Sequence, residues 1–343
     1  MGLFGFRDMR GKFGWLAVML MLVSGTAAAQ PIVSQPSMRP GDLKVDFRAP
    51  GGAIVRYRIE MTQSRQKDGA APVVTATQNS EVTFRVLSTR SDGYRMSLSY
   101  DRVESRSPQM KALGIGDDIA DKIGKRFERT TLVYLADMEG IPTQIENLAD
   151  IKEIMTRNIG TMRYAFKDAA MPPEAAQATE KMIASMEQLY AGMTPEQANH
   201  ILLEDVRPLF GLTGISLPPD AEIQFTQKLP WALTGTMLDK TGKLWLSRQD
   251  GTQAVVEIRT GFDRDSVKQG LAVATRQLEA RNNGTLPEQL ARTLRSMENY
   301  DVIETQTTAL RLADGWPDQV TLDQQTVTGP ERRIKRIAVT RLP

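Results

Sequence analysis

The stretch Ile54–Thr62, IVRYRIEMT, places apolar Val55, Tyr57, Ile59 and Met61 at every second position, with Arg56, Arg58 and Glu60 between them. A helix would scatter those side chains around its axis. An extended strand gathers them on one face and leaves the charges on the other. The alternation returns in Glu81–Ser88 and in Tyr94–Tyr100, with Ser91-Asp92-Gly93 between them as the composition of a tight hairpin turn. It closes the chain as ALRLA, QVTLDQQTV and RRIKRIAVTRL. Strands that are half polar argue for antiparallel sheet, because a doubly wound parallel sheet needs strands that are aliphatic throughout.

Two blocks of this β-rich sequence recur in the same order. TTLVYLADMEGIPTQI (Thr130–Ile145) parallels TTALRLADGWPDQV (Thr307–Val320), and LSTRSDGYRMSLSYDRVES (Leu87–Ser105) parallels LSRQDGTQAVVEIRTGFDRDS (Leu246–Ser266). Two matches in one order predict a duplicated unit. In each copy a helical stretch is expected between the hairpin and the T-T strand.

A helical block separates the copies. Asn147 stands where an N-cap is expected, before apolar positions Leu148, Ile151, Met155, Ile159, Met162 and Phe166 at three-and-four spacing. Pro172-Pro173 opens a second helix with a Met182, Met186 and Leu189 stripe, and Thr194-Pro195-Glu196-Gln197 is a capping box opening a third. The predicted fold class is α+β, with duplicated, half-barrel-like antiparallel units, inserted helices and a central helical block. The expected organisation is a leader at 1–29, an extended lead-in at 30–52, a first β-rich unit at 53–146, the helical block at 147–210 and a second β-rich unit at 211–343. Phe210–Asp220 has the Gly/Pro content of a linker into the second β-rich unit.

The leader reading rests on Arg7, Arg10 and Lys12 before the apolar run Trp15–Val23 and the small residues Ala27-Ala28-Ala29. That run is too short for the ~20 residues a membrane span needs. Cleavage after Ala29 predicts a periplasmic or secreted bacterial protein with no transmembrane segment in the mature chain. The leader holds three of the 43 basic and one of the 41 acidic residues, so the remainder balances at 40 against 40. A chain with no net charge offers no footprint for nucleic acid.

Few reactions are open to these residues. There is no cysteine, and the one histidine, His200, lies within a helical pattern, so thiolate chemistry and histidine triads have no material. Neither a metal site nor a phosphate loop is expected: Asp263–Ser266 has too few oxygens for calcium, and Gly114–Asp118 lacks the required glycines. Asp265-Ser266 reads instead as a helix N-cap. Asp137 and Asp314 read as turn-formers, with Gly140 and Gly315 supplying permissive backbone. No enzyme and no cofactor is expected.

Six methionines fall between Met155 and Met193. Methionine is flexible and polarisable, so it pads cores and also lines surfaces that accept varied apolar partners. Met155, Ile159, Met162, Phe166, Met182, Met186 and Leu189 are therefore the candidate ligand-binding residues. An exported chain with a long antiparallel sheet and helices inserted against it resembles the half-barrel carriers of the lipoprotein-carrier (LolA-like) superfamily. With its strand–glycine-turn–strand segments TTLVYLADMEGIPTQIEN and LRLADGWPDQVTL, it also resembles a family of bacterial exported proteins built on a domain of unknown function. The resemblance spans about Ala53–Arg341. It implies binding of a lipid-like or other apolar ligand, or of an envelope protein, rather than catalysis.

Overall fold

The computed structural model describes residues 40–343 apart from 68, most of 109–129, 168–172, 204–206, 231–236 and most of 282–299. The expected leader and the first part of the lead-in lie outside the described residues.

A short pair joins β1 (Leu43–Lys44) to β7 (Ser216–Leu217). The other described strands form one antiparallel sheet. They are β2 (Ile54–Lys67), β3 (Val73–Arg90), β4 (Gly93–Arg106), β5 (Thr131–Ala136), β6 (Pro142–Ile145), β8 (Ile223–Pro230), β9 (Met237–Gln249), β10 (Gln253–Phe262), β11 (Asp301–Arg311), β12 (Pro317–Thr328) and β13 (Glu331–Leu342). Their order is β6-β5-β4-β3-β2-β13-β12-β11-β10-β9-β8. From the β8 edge the chain meanders to β13, and the sheet then continues from β2 to β6. The expected β-rich units thus meet at β13–β2, in unbroken register from Leu342 opposite Arg56 to Glu331 opposite Lys67.

Period-two alternation decides which face is covered. On β2 Val55 and Tyr57 are buried while Arg56 and Arg58 are exposed, and on β11 every second residue from Val302 to Leu310 is buried. The covered face carries α1 (Leu148–Lys167), α2 (Pro173–Gly192), α3 (Pro195–Leu202), α4 (Arg207–Phe210) and α5 (Arg264–Arg281). Helices α1 and α2 join the large core against β2–β5, and α5 packs with Leu238 of β9 through Val267 and Leu271. Arg163 ties α1 to α2 by ion pairs to Glu180 and Glu187 at 2.9 and 2.8 Å.

Thr194 closes the predicted capping box, its hydroxyl accepting from the Gln197 amide while the Gln197 side chain accepts from the Thr194 amide. Asn147 precedes α1 but turns its side chain away, bonding the backbone of Val133 and Thr131 on β5. Asp263, rather than Asp265 or Ser266, caps α5, because its carboxylate is the group that accepts from the Ser266 amide. Ser266 instead receives the Asp239 amide.

Two segments read as connectors are core. In the lead-in, Val45, Phe47 and Ala49 are all buried. In the expected linker, Phe210, Leu212, Ile215 and Leu217 are buried too. The lead-in crosses one end of the sheet between two hairpin turns. Its Arg48 amide bonds the Asp314 carbonyl, and its Val45 carbonyl receives the Gly214 amide. There Phe47 meets Tyr94, Phe210 and Trp316 at ring-centroid distances of 5.0, 5.4 and 5.1 Å. Such offset and edge contacts each add about 0.5–1.5 kcal/mol beyond area burial.

Candidate ligand-binding groove

The two hairpins that the sequence matched do share a plan. In the first, the Asp137 amide bonds the Ile141 carbonyl and the Gly140 amide bonds the Asp137 carbonyl; in the second, across a turn one residue longer, the Arg311 amide bonds the Trp316 carbonyl and the Gly315 amide bonds the Arg311 carbonyl. Gly140 and Gly315 have φ of 79° and 73°, a region that suits glycine. Pro142 and Pro317 stand opposite Ala136 and Leu310, and Ile145 and Val320 stand opposite Tyr134 and Thr308. The T-T and L-A-D letters do not coincide in this frame. They are offset by three positions, so Thr131 is part-exposed where its sequence match Thr308 is buried. Asp137 and Asp314 serve their turns: the Asp137 carboxylate accepts from the Glu139 and Ile141 amides, and that of Asp314 accepts from the Trp316 amide.

Beyond the aromatic cluster, cover on the inner face thins over the central strands. The register aligns Leu322, Ile337 and Met61 across β12, β13 and β2, with Val339 and Ile59 one inward position closer to the cluster. Val320 and Val339 are buried, whereas Ile59, Met61, Leu322 and Ile337 are only half-buried. Ile59 and Ile337 pack against the large core, and Met61 and Leu322 extend the apolar strip beside them.

The next inward row is polar: Gln324, Lys335 and Gln63 stand side by side. Gln324 donates to Glu304 at 3.0 Å, and Lys240 pairs with the other Glu304 oxygen at 3.3 Å. The Lys240 and Glu304 side chains are 7% and 10% exposed, so this is a buried ion pair. Nearby, Thr260 Oγ is buried with no hydrogen-bond partner. Gly242 makes room for this side of the sheet, since a β-carbon there would lie 2.4 Å from the Phe225 ring. One step further along β2 and β13, Arg65 and Arg333 share Glu331 at 2.6 and 3.0 Å.

The candidate residues chosen from sequence lie apart from this row. Met155, Ile159, Met162, Phe166 and Met186 belong to the large core shared with the sheet, each no more than 7% exposed. Leu189 is half-buried, and the Met182 side chain lies outside the described residues, as does that of His200. The polar row escaped sequence reading, because the two alternating sets of β11 are equally mixed: Val302, Glu304, Gln306, Thr308 and Leu310 against Ile303, Thr305, Thr307 and Ala309.

Among the described residues no group of three or more His, Asp or Glu side chains could hold a metal, and no helix is long and apolar enough to cross a membrane. No protein-family model matches the chain, and no curated protein does. Among solved structures it is similar to a lipovitellin chain described for its lipid–protein interactions, at 9% identity and a TM-score of 0.40. That match covers 86% of this chain but only 25% of the lipovitellin chain. DynF from the dynemicin biosynthesis pathway of Micromonospora chersina matches at 5% identity and a TM-score of 0.20, covering 93% of this chain and 96% of its own. An outer membrane channel from Pseudomonas putida F1 matches at 8% identity and a TM-score of 0.16, covering 89% of this chain and all of that one. Scores this low do not establish a common fold.

Proposed function

We propose that the chain is an exported, non-enzymatic binding protein of the bacterial periplasm that holds an apolar or lipid-like ligand between its sheet and its helices. The observation that carries this reading is the strip of Ile59, Met61, Leu322 and Ile337, half-buried where Val320 and Val339 beside it are buried. Burial of apolar surface is the main favourable term in folding, and ligand sites are concave, mostly apolar places with a few polar groups beside them. An apolar strip that stops short of closure, with Gln324 and Lys335 alongside, has that composition. The turn roles of Asp137 and Asp314 support the non-enzymatic part, and the basic, apolar and small-residue pattern of residues 1–29 supports export. Native mass spectrometry of protein purified from its host envelope tests the reading, with reproducible co-purified lipid mass expected.

A second reading, an envelope assembly or interaction protein whose core is filled by its own side chains, is favoured by the packing of Met155, Met162 and Met186 in the main core. For that protein the same measurement returns a stoichiometric protein partner and no lipid. We also read the two β-rich units as copies of one half-barrel-like ancestor. The support is the shared bonding of the two glycine hairpins and a bulge before each Asp-Gly turn, after Val86 and near Leu246.

A further inference from the structure

We infer that the ligand of this groove is an anionic phospholipid, with an acyl chain along the apolar strip and its phosphate held at the basic end of β2 and β13. This assignment rests on the apolar-ligand reading above. Along the inner face of β2 the side chains run Tyr57, Ile59, Met61, Gln63, Arg65, Lys67, and opposite them on β13 run Arg341, Val339, Ile337, Lys335, Arg333, Glu331. The face thus passes from apolar to basic along its length, as an amphiphile does. The basic end sets Arg65, Lys67, Arg333 and Lys335 against the single carboxylate of Glu331. A carboxylate shared by two arginines leaves the group with a formal excess of positive charge. Lys335 has no ion-pair partner among the described residues, and Arg65 Nε is buried with no hydrogen-bond partner. A phosphate oxygen supplies an acceptor to both kinds of donor, in the charge-assisted form that is strongest.

The lengths agree. From the row of Ile59 to the row of Lys335 is four strand residues, about 13 Å, against the ~15 Å that one leaflet's acyl chains span in a bilayer core of ~30 Å. The opposite face of the same strands carries Arg58, Glu60 and Thr62 beside Thr340, Ala338 and Arg336, with Arg336 paired to Asp323 at 2.8 Å. Arg332, opposite Gln66 on that outer face, is exposed to water, whereas Lys335 on the inner row is part-buried.

The test titrates the purified, delipidated full chain with lauroyl lysophosphatidylglycerol and, separately, lauroyl lysophosphatidylcholine, both below micelle-forming concentrations. The two probes share an acyl chain and differ in net charge. The anionic probe is expected to bind at least about tenfold more tightly, with the advantage shrinking as salt rises. Lys335→Gln breaks no ion pair, so it should keep the fold while removing most of that advantage, and Arg336→Gln on the outer face should leave it intact. Equal binding of the two probes, or an advantage that survives Lys335→Gln, overturns the headgroup assignment and leaves the apolar reading standing. Failure of both probes to bind overturns the two together.

Discussion

Phe47 occupies the place a side chain at Gly140 would need: its ring carbons lie 2.9 Å from where a β-carbon would stand. Gly315, in the other hairpin, faces the same segment, with the Asp46 carbonyl oxygen 2.6 Å from its would-be β-carbon. Both glycines also sit at positive φ. Gly140→Ala and Gly315→Ala should therefore each destabilise, since strain in the left-handed region alone costs about 1 kcal/mol or more and the contact adds to it. Phe47→Ala should cost roughly 3–5 kcal/mol, as for other buried aromatics. Urea midpoints of the three variants check this. A neutral Gly315→Ala would show that the lead-in does not grip the second turn.

The methionines of α1 and α2 give a prediction about where the ligand lies. Met155, Met162 and Met186 are packed in the main core, so each truncation to alanine should cost roughly 2–5 kcal/mol. Lipid retention should survive those truncations and should instead fall on Met61→Gln or Ile337→Gln, which alter the half-buried strip. If the α1 and α2 variants release lipid while keeping their denaturation midpoints, the ligand lies under the helices rather than over the central strands.

Lys240 and Glu304 form a buried pair whose value lies in being complete. Removing one partner strands a desolvated charge, so Lys240→Met should cost about 3–5 kcal/mol. Adding Glu304→Met removes the stranded carboxylate, and the double variant should recover much of that loss. A double-mutant cycle from urea denaturation measures the coupling. Additive losses would mean that water or another group already serves Glu304 in the Lys240→Met variant.

How far the architecture could be read from sequence varies with the range of the interactions that set it. Val55, Tyr57 and Ile59 declare their strand locally, and Thr194 and Gln197 declare their cap within four residues. The lead-in was harder. Its prolines and short length hide the alternation of Val45, Phe47 and Ala49, and the partners that bury it lie far along the chain, Phe210 and Trp316 for Phe47 and Leu212 and Leu217 for Val45. The repeated T-T and L-A-D letters misled in detail, because strand register follows the turn bonds of Gly140 and Gly315 rather than residue identity. Which polar side chains of β11 point inward is decided only by its neighbours β10 and β12.

Asp137 offers a test by pH. Burial raises its carboxyl above the ordinary aspartate value, and the Ile141 and Glu139 amide bonds pull the other way without cancelling it. A raised value in the folded state means that the folded chain keeps its proton where the unfolded chain has lost it. The stability this confers is complete below the unfolded value, about 3.9, and is lost as pH rises through the folded one. At neutral pH the charge is therefore a cost, while the carboxylate oxygen remains the acceptor for two turn amides. Asp137→Asn keeps an acceptor and removes the charge, so it should be at least as stable as the parent at neutral pH, with the difference closing as acid protonates the parent. Asp137→Ala leaves two amides without their acceptor and should lose about 1–3 kcal/mol across the range. Urea midpoints of the parent and both variants, from acid to neutral pH, decide it. A neutral-pH loss in Asp137→Asn would mean that the charge itself stabilises the turn.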